Sequence, residues 1–157
     1  MRSPLVVQNT ITINASMEKV WDVLTNPEQT KKYMFGCETV SDWQPGSSLE
    51  WKGTYEGQDM VFVKGSIVEI DPPRLLVYTT IDPNGSVEDK PENYLTVTYQ
   101  LTDKDRQTAL TVTQGDYSTV ADGEKRYADA YNGGLGWSPI LEEIKKLCES
   151  VQAGTKI

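Results

Sequence analysis

The stretch WSPILEEIKKLCESV, residues 137–151, decides the fold class. Its apolar residues recur at steps of three and four, from Trp137 through Ile140, Ile144 and Leu147 to Val151. Glutamate and lysine residues occupy half of the positions between them. This spacing is typical of an amphipathic α-helix whose apolar face lies on a hydrophobic partner. The remainder of the sequence should therefore supply that partner.

The partner is predicted to be a β-sheet. Upstream of residue 122, apolar and polar residues alternate in short runs, as they do in half-buried strands. The order of predicted elements contains no βαβ alternation, so we expect the strands to be antiparallel. The predicted fold class is α+β, with a curved antiparallel sheet of about six to seven strands wrapped around the long C-terminal helix. The predicted strands cover residues 5–13, 37–40, 49–55, 60–70, 75–81, 94–101 and 109–117.

Two short helices are predicted after the first strand. Ser16 is a suitable N-cap for the first one, and Val20 and Val23 lie on its apolar face. The pair Asn26-Pro27 ends this helix. Because proline lacks an amide proton and has a fixed φ, Pro27 can serve as the first residue of the second helix.

Two features of the central strands bear on a site. Residues 56–59 are predicted to form a hairpin loop, since they read Glu-Gly-Gln-Asp between alternating runs. Gly65, in the middle of the strand 60–70, indicates a β-bulge or a close backbone approach. A bulge would change the register, so the pattern leaves open whether Phe62 or Val63 points inward.

Glycine and proline interrupt the helical pattern at residues 133–139. Each glycine costs a helix interior roughly 1 kcal/mol, and Pro139 costs about 3 kcal/mol. One interpretation is a break, with one helix ending near Asn132 and a second beginning with Ser138 as N-cap and Pro139 as first residue. The other is a single kinked helix whose bare glycine face lets a ligand or the sheet approach. Both place a flexible gate at the mouth of the expected cavity.

Length and composition favour one soluble globular domain. A chain of 157 residues can bury a full core, and we predict a single domain over residues 1–157. The opening MRSPLVVQNT has a three-residue apolar run, which is too short for a signal peptide. No run approaches the ~20 apolar residues of a membrane span. We therefore expect a cytoplasmic protein without a membrane span.

The charge balance argues against a polyanionic partner. The formal net charge is −8, and no basic run is longer than two residues, as in Lys31-Lys32. Nucleic-acid affinity depends mainly on clustered basic residues that contact phosphates. We expect no nucleic-acid partner.

The sequence contains no histidine, which removes the Ser-His-Asp and Cys-His arrangements and the HExxH metal motif. Cys37 and Cys148 are far apart in sequence and are predicted to be two buried structural thiols.

Glu69 and Arg74 are predicted to pair across the Pro-Pro turn, and Asp116 is expected to face solvent rather than act as a general acid. We predict no catalytic residue, no metal and no cofactor.

Three motifs carry a resemblance to a known family. They are NAS with VWDVL within residues 14–24, GSIVEIDPPRL at residues 65–75, and GW at residues 136–137 followed by Leu141, Ile144 and Leu147. Together, in this order, they resemble the homologues of the Hsp90-ATPase activator (AHSA1-like), within the START/Bet v 1-like helix-grip (SRPBCC) superfamily. The eukaryotic members carry a further N-terminal domain with a motif that includes histidine, which this sequence lacks.

The resemblance implies a helix-grip fold with a cavity between the sheet and the last helix. Aromatic residues are numerous in the predicted strands, and a buried tyrosine needs a partner for its hydroxyl group. As a set they favour a pocket, although each ring could instead simply fill the core. The predicted ligand-binding residues are Tyr33, Phe35, Trp51, Phe62, Tyr78, Tyr99, Tyr131, Leu135 and Ile140.

Three functions remain as hypotheses. The favoured one is non-enzymatic binding of a small hydrophobic or amphipathic molecule, with a stress-related role. The second is a chaperone-associated interaction module with an Hsp90-type partner. The third is an enzyme like the polyketide cyclases and aromatases of the superfamily, which shape a reactive chain in a pocket. The expected oligomeric state is a monomer or a weak dimer.

Overall fold

A seven-stranded antiparallel sheet and four α-helices make up the part of the chain described by the computed structural model, residues 5–34, 36–83, 88–121, 123–131 and 136–154. Two 3₁₀ turns, Pro91–Asn93 and Tyr117–Thr119, precede β6 and α3 respectively. The strands are β1 Val7–Ile13, β2 Glu38–Ser41, β3 Ser48–Tyr55, β4 Gln58–Asp71, β5 Leu75–Thr80, β6 Leu95–Asp103 and β7 Thr108–Gly115. The helices are α1 Met17–Thr25, α2 Pro27–Tyr33, α3 Gly123–Tyr131 and α4 Ser138–Gly154.

The sheet has the order β1-β7-β6-β5-β4-β3-β2, and every neighbouring pair is antiparallel. β1 and β2 are the two edge strands, and α1 and α2, which lie between them in the chain, connect one edge of the sheet to the other. α4 packs against β1, α1 and α2. The predicted α+β helix-grip class, with a curved sheet around the C-terminal helix and two short helices after the first strand, is confirmed.

The core lies between the inner face of the sheet and α4. In β6, alternate residues are buried and exposed, which is the two-residue period that the sequence predicts. In α4, Leu141, Ile144 and Cys148 are almost wholly buried, at steps of three and four. Each such side chain contributes roughly 1.5–3 kcal/mol when it leaves water. The apolar face of α4 thus holds the helix on the sheet.

Side-chain caps fix the two short helices as predicted. The Ser16 side chain accepts from the amide of Lys19, at the start of α1. Asn26 ends α1 and caps α2, because its side chain accepts from the amide of Glu28. Pro27 is the first residue of α2. These caps satisfy helical amides that would otherwise lack partners.

The register of β4 shifts at Phe62 opposite β3 and at Val68 opposite β5, and not at Gly65. Trp51 pairs with Val63 and Lys52 with Val61, so Phe62 is the additional residue on β4. At Gly65 the close approach is real, since a Cβ there would lie 1.6 Å from the Thr79 carbonyl oxygen. The glycine therefore allows β4 and β5 to contact each other closely, and the bulge is a separate feature of the strand.

Turn chemistry corrects two sequence predictions. The loop predicted at 56–59 is a two-residue turn, because Glu56 and Gly57 both have positive φ, 51° and 80°, and the ladder continues up to Gln58. This geometry suits the right-handed twist of a hairpin.

Arg74 pairs with Asp71 at 2.7 Å rather than with Glu69, because the three-residue separation brings their side chains together.

α3 ends at Tyr131 and α4 begins at Ser138, which agrees with the interpretation of a break; Gly133 and Gly134 lie outside the described residues. The predicted N-cap is corrected by one residue. The Trp137 carbonyl accepts from the Leu141 amide, so Ser138 is already helical. The Trp137 amide donates to Asn9 Oδ1 at 2.9 Å, and Asn9 Nδ2 donates to Ser138 Oγ at 3.3 Å. Strand β1 thus supplies the cap of α4.

The predicted strand bounds agree with the observed ones to within two residues. Across the described ranges, no helix is long and apolar enough to cross a membrane.

Candidate functional site

A cavity of about 540 Å³ lies where the start of α4, the end of α3 and the segment after α2 face the inner side of the sheet. This volume is in the range of small-molecule sites. Most of its walls are apolar, and a few polar groups are placed among them. The lining residues are Met34, Cys37, Trp51, Phe62, Val63, Tyr78, Thr80, Val97, Gln114, Asp129, Ala130, Gly136, Trp137 and Ile140.

Tyrosines lie at and behind the inner wall of the cavity. Tyr78 and Tyr99 are buried, and their hydroxyl oxygens lie 2.8 Å apart. The Tyr33 hydroxyl donates to the carbonyl of Leu24 at 3.0 Å. We call Tyr33, Tyr78 and Tyr99 the buried tyrosine cluster. Burial raises the pKa of each member well above its usual value, so all three stay protonated at neutral pH.

The bulge and a glycine shape the wall formed by β3 and β4. Because Phe62 is the bulged residue, both Phe62 and Val63 line the cavity. A Cβ at Gly53 would lie 3.0 Å from the Phe62 ring and 3.4 Å from Cys37 Sγ. Gly53 thus leaves space in which the Phe62 ring packs beside Cys37. The ambiguity between Phe62 and Val63 is resolved, since both reach the site.

Polar groups lie near the start of α4 and on α3. Trp137 Nε1 donates to Gln114 Oε1 at 2.8 Å, which fixes the indole ring against β7. Trp137 also contacts the Tyr99 ring edge-on, with centroids 6.1 Å apart. Asp129, on α3, accepts from Lys125 one turn earlier. No lysine or arginine is among the lining residues that the structure describes.

Helix α3 covers this region without entering the core. None of its described residues is buried, although Tyr127 and Ala130 pack partly buried against the core. Tyr127 packs on the buried Tyr117 and stacks with Tyr131, at centroid distances of 5.9 and 5.6 Å. Apolar burial therefore holds α3 less firmly than α4.

The predicted site residues fall into three groups. Trp51, Phe62, Tyr78 and Ile140 line the cavity. Tyr33 and Tyr99 lie behind the lining in the core, and Tyr131 is 46% exposed on the outer side of α3. Phe35 and Leu135 lie outside the described residues. Ligand contact by any of the nine remains a prediction.

Sequence reasoning missed most of the polar lining. Gln114 and Thr80 lie near strand ends and look like ordinary surface residues in the sequence. One signal was available, because the sequence around Trp137 combines an indole donor with helix-breaking residues, and a buried indole needs an acceptor. Gln114 provides that acceptor.

Other chemistry-bearing residues have structural roles. The Asp116 carboxylate accepts from the Leu5 amide and from the amide and hydroxyl of Ser118. These bonds lower the pKa of Asp116, as expected for a stabilised carboxylate. Cys37 and Cys148 are free buried thiols, and burial raises the pKa of Cys148 to about 12. Within the described ranges, no three Cys, Asp or Glu residues are grouped as metal ligands.

Two further depressions, of about 520 and 570 Å³, lie elsewhere on the molecule. Charged side chains contribute much of their lining, and several of these are in ion pairs, such as Lys31 with Glu38 and Lys64 with Asp89. The cavity under α4 combines apolar walls with a few oriented polar groups, which is the usual character of a small-molecule site.

Solved structures show the same fold over nearly the whole chain. A protein from Cytophaga hutchinsonii, known from its solution structure, is 36% identical, with 98% of this chain and 99% of that chain covered and a TM-score of 0.74. A protein from Nitrosomonas europaea is 18% identical, with 98% and 99% covered and a TM-score of 0.71. A structure described as the Aha1 dimer from Colwellia psychrerythraea is 18% identical, with 92% and 96% covered and a TM-score of 0.65.

A search of curated proteins found no match. The family described as Activator of Hsp90 ATPase homolog 1-like protein matches residues 14–149, from the end of β1 through most of α4. The match includes the segments that build the cavity and all three motifs of the sequence. The chain therefore belongs to the family of Activator of Hsp90 ATPase homolog 1-like proteins.

Proposed function

We propose that this protein binds a small hydrophobic or amphipathic molecule, without chemical conversion, in the cavity under α4. The observation that carries the proposal is the lining itself. Trp51, Phe62, Val97 and Ile140 offer apolar contact, and Tyr78 places a hydroxyl group within that apolar wall. Burial of apolar ligand surface at roughly 25 cal/mol per Å² supplies the driving force. The polar groups orient the ligand.

The protonation state of the site favours binding over catalysis. Tyr78 and Cys37 line the cavity, and burial raises the pKa of both groups. Each therefore remains protonated near neutral pH, where a general base or thiolate nucleophile would need to lose its proton. The Asp129 side chain belongs to the lining but is largely exposed, and its carboxylate is paired with Lys125 one turn earlier. Tyr78 and Cys37 are therefore suited to contact a ligand rather than to act as a general base or a nucleophile.

A titration with Nile red, a neutral solvatochromic dye, tests the proposal. We expect saturable binding with a blue shift in emission, and a native mass spectrum should show one dye per chain. Ile140→Trp adds bulk to the cavity wall and should weaken dye binding by about tenfold or more. Leu147→Trp is the matched control, since Leu147 is also partly buried on α4, two turns away and outside the lining. Absence of dye binding, or equal losses in the two variants, would contradict the proposal.

A second candidate function is docking to an Hsp90-type chaperone. It is favoured by the family, which is described by activation of the Hsp90 ATPase, and by the neighbour described as an Aha1 dimer. If this function holds, the purified protein should raise the ATPase rate of the chaperone, and Ile140→Trp should leave that effect intact because a docking surface does not need an open cavity. No change in ATPase rate at saturating protein would remove this candidate.

A further inference from the structure

The buried tyrosine cluster contains one hydroxyl proton without an acceptor in the protein. Tyr78 and Tyr99 share a single contact of 2.8 Å between their oxygens, and only one of the two groups can donate in it. The other group keeps its own proton. Within the described residues, neither hydroxyl has a second hydrogen-bond partner. A buried donor without an acceptor is costly, so the remaining proton should point to where an acceptor can enter.

Of the two residues, Tyr78 is the one with access to the cavity. Both rings are almost wholly buried, but Tyr78 is part of the cavity lining, whereas Tyr99 lies behind it against the Trp137 ring. The third member of the cluster, Tyr33, already donates to the Leu24 carbonyl. The lowest-cost arrangement is therefore Tyr99 donating to the Tyr78 oxygen and Tyr78 donating into the cavity. Water can accept this bond when no ligand is bound.

We propose that the Tyr78 hydroxyl donates a hydrogen bond to the bound molecule, and that the ligand class is a neutral, mainly apolar compound with an acceptor oxygen, such as a ketone, quinone or ester. This inference rests on the proposed binding function and specifies its ligand.

The charges around the cavity argue for a neutral head group. The described lining contains Asp129 and no cationic side chain, and the chain has a net charge of −8. A carboxylate ligand would lose its hydration without gaining an ion pair. A carbonyl oxygen carries no net charge and can replace the water on Tyr78 at little cost. A pure hydrocarbon would displace that water and leave the donor unpaired.

Two nearly isosteric compounds test the inference. 2-Acetylnaphthalene carries a carbonyl oxygen, and in 2-isopropenylnaphthalene a methylene group replaces that oxygen. Their Kd values are measured by displacement of Nile red from the wild type, Tyr78→Phe and Tyr99→Phe, with the dye Kd determined separately in each. We expect the wild type to prefer the ketone by about 3- to 10-fold, the effect of one net hydrogen bond. Tyr78→Phe should lose this preference, and Tyr99→Phe should keep it, because the Tyr78 donor is still present.

The outcomes separate this inference from the function on which it rests. If both compounds bind the wild type equally, or if Tyr78→Phe keeps the ketone preference, the inference is overturned and the binding function stands. If neither compound nor the dye binds, both fail. A hydrocarbon Kd in Tyr78→Phe that equals or is tighter than the wild-type value would show that the cavity itself remains intact, since the variant has no hydroxyl donor to leave unpaired.

A second measurement does not depend on the fold of any variant. The carbonyl stretch of ¹³C-labelled 2-acetylnaphthalene falls to lower wavenumber when its oxygen accepts a hydrogen bond. We expect the wild-type complex to show this lower band compared with the ketone in dry alkane. A band at the alkane position would overturn the inference, even if the ketone binds tightly.

Discussion

Substitution of Gly136 by alanine should destabilise the protein through two separable effects. Gly136 has φ of +48°, a conformation that residues with a Cβ rarely adopt. A Cβ at this position would also lie 2.3 Å from Asn9 Oδ1 and 2.9 Å from Val7 Cγ1. Asn9 Oδ1 accepts from the Trp137 amide, so the new methyl group would displace the cap at the start of α4.

The magnitude follows from these two effects. The left-handed conformation costs an alanine about 1–2 kcal/mol. Loss of the Asn9 acceptor leaves the Trp137 amide unpaired, which lowers the free energy of unfolding by a further 1–3 kcal/mol or about that. We therefore expect the free energy of unfolding to fall by about 2–5 kcal/mol.

Gly46→Ala provides the matched control. Gly46 also has positive φ, +87°, but a Cβ there would meet nothing within 4 Å. It should lose only the conformational part, about 1–2 kcal/mol. Urea unfolding followed by circular dichroism gives both values. Equal losses in the two variants would refute the claim that Gly136 permits the contact between Asn9 and α4.

Three further predictions concern the sheet and the titrating groups. Gly65→Ala should lower the free energy of unfolding in urea by about 3 kcal/mol or more, because the new Cβ would lie 1.6 Å from the Thr79 carbonyl oxygen. A loss below about 1 kcal/mol would contradict the close contact between β4 and β5 at this glycine. The buried tyrosine cluster has raised pKa values, so its contribution to stability is complete below the unfolded pKa of ~10 and is lost as the pH rises above it. Absorbance at 295 nm should then show at least three of the eight tyrosines ionising only together with unfolding, whereas ionisation of all eight near pH 10 in the native protein would argue against the burial of the cluster. The pKa of Asp116 is lowered, so the contribution of its carboxylate to stability is present above the unfolded pKa of ~4 and is lost as the pH falls. The difference in unfolding free energy between the wild type and Asp116→Asn should therefore narrow in acid. A difference that stays constant with pH would count against this role.

The fold was largely accessible from the sequence because its signals are local. Alternation in β6, the caps Ser16 and Asn26, and the three- and four-residue steps of α4 each depend on neighbouring residues. The antiparallel order followed from the absence of βαβ alternation. Such signals need no knowledge of distant contacts, and the prediction of a helix-grip fold was confirmed.

The candidate site was less accessible because it depends on register and on long-range contacts. The bulge at Phe62 changes which residues face the cavity, and alternation within one strand cannot locate it. Asn9 and Trp137 are bonded across 128 positions, so the cap of α4 is invisible to a local pattern. Tyr131 illustrates the same limit, since its helical spacing does not say whether its ring faces the cavity or Tyr127.

In the proposed function, a ligand occupies the space between α4 and the sheet. The most direct measurement is an isotope-filtered NOE experiment on ¹³C-labelled protein with unlabelled 2-acetylnaphthalene. We expect NOEs from the naphthalene protons to the methyl groups of Met34, Val97 and Ile140, which line the cavity on three different segments. NOEs restricted to Val40 and Val68, which are exposed outside the cavity, would contradict the claim.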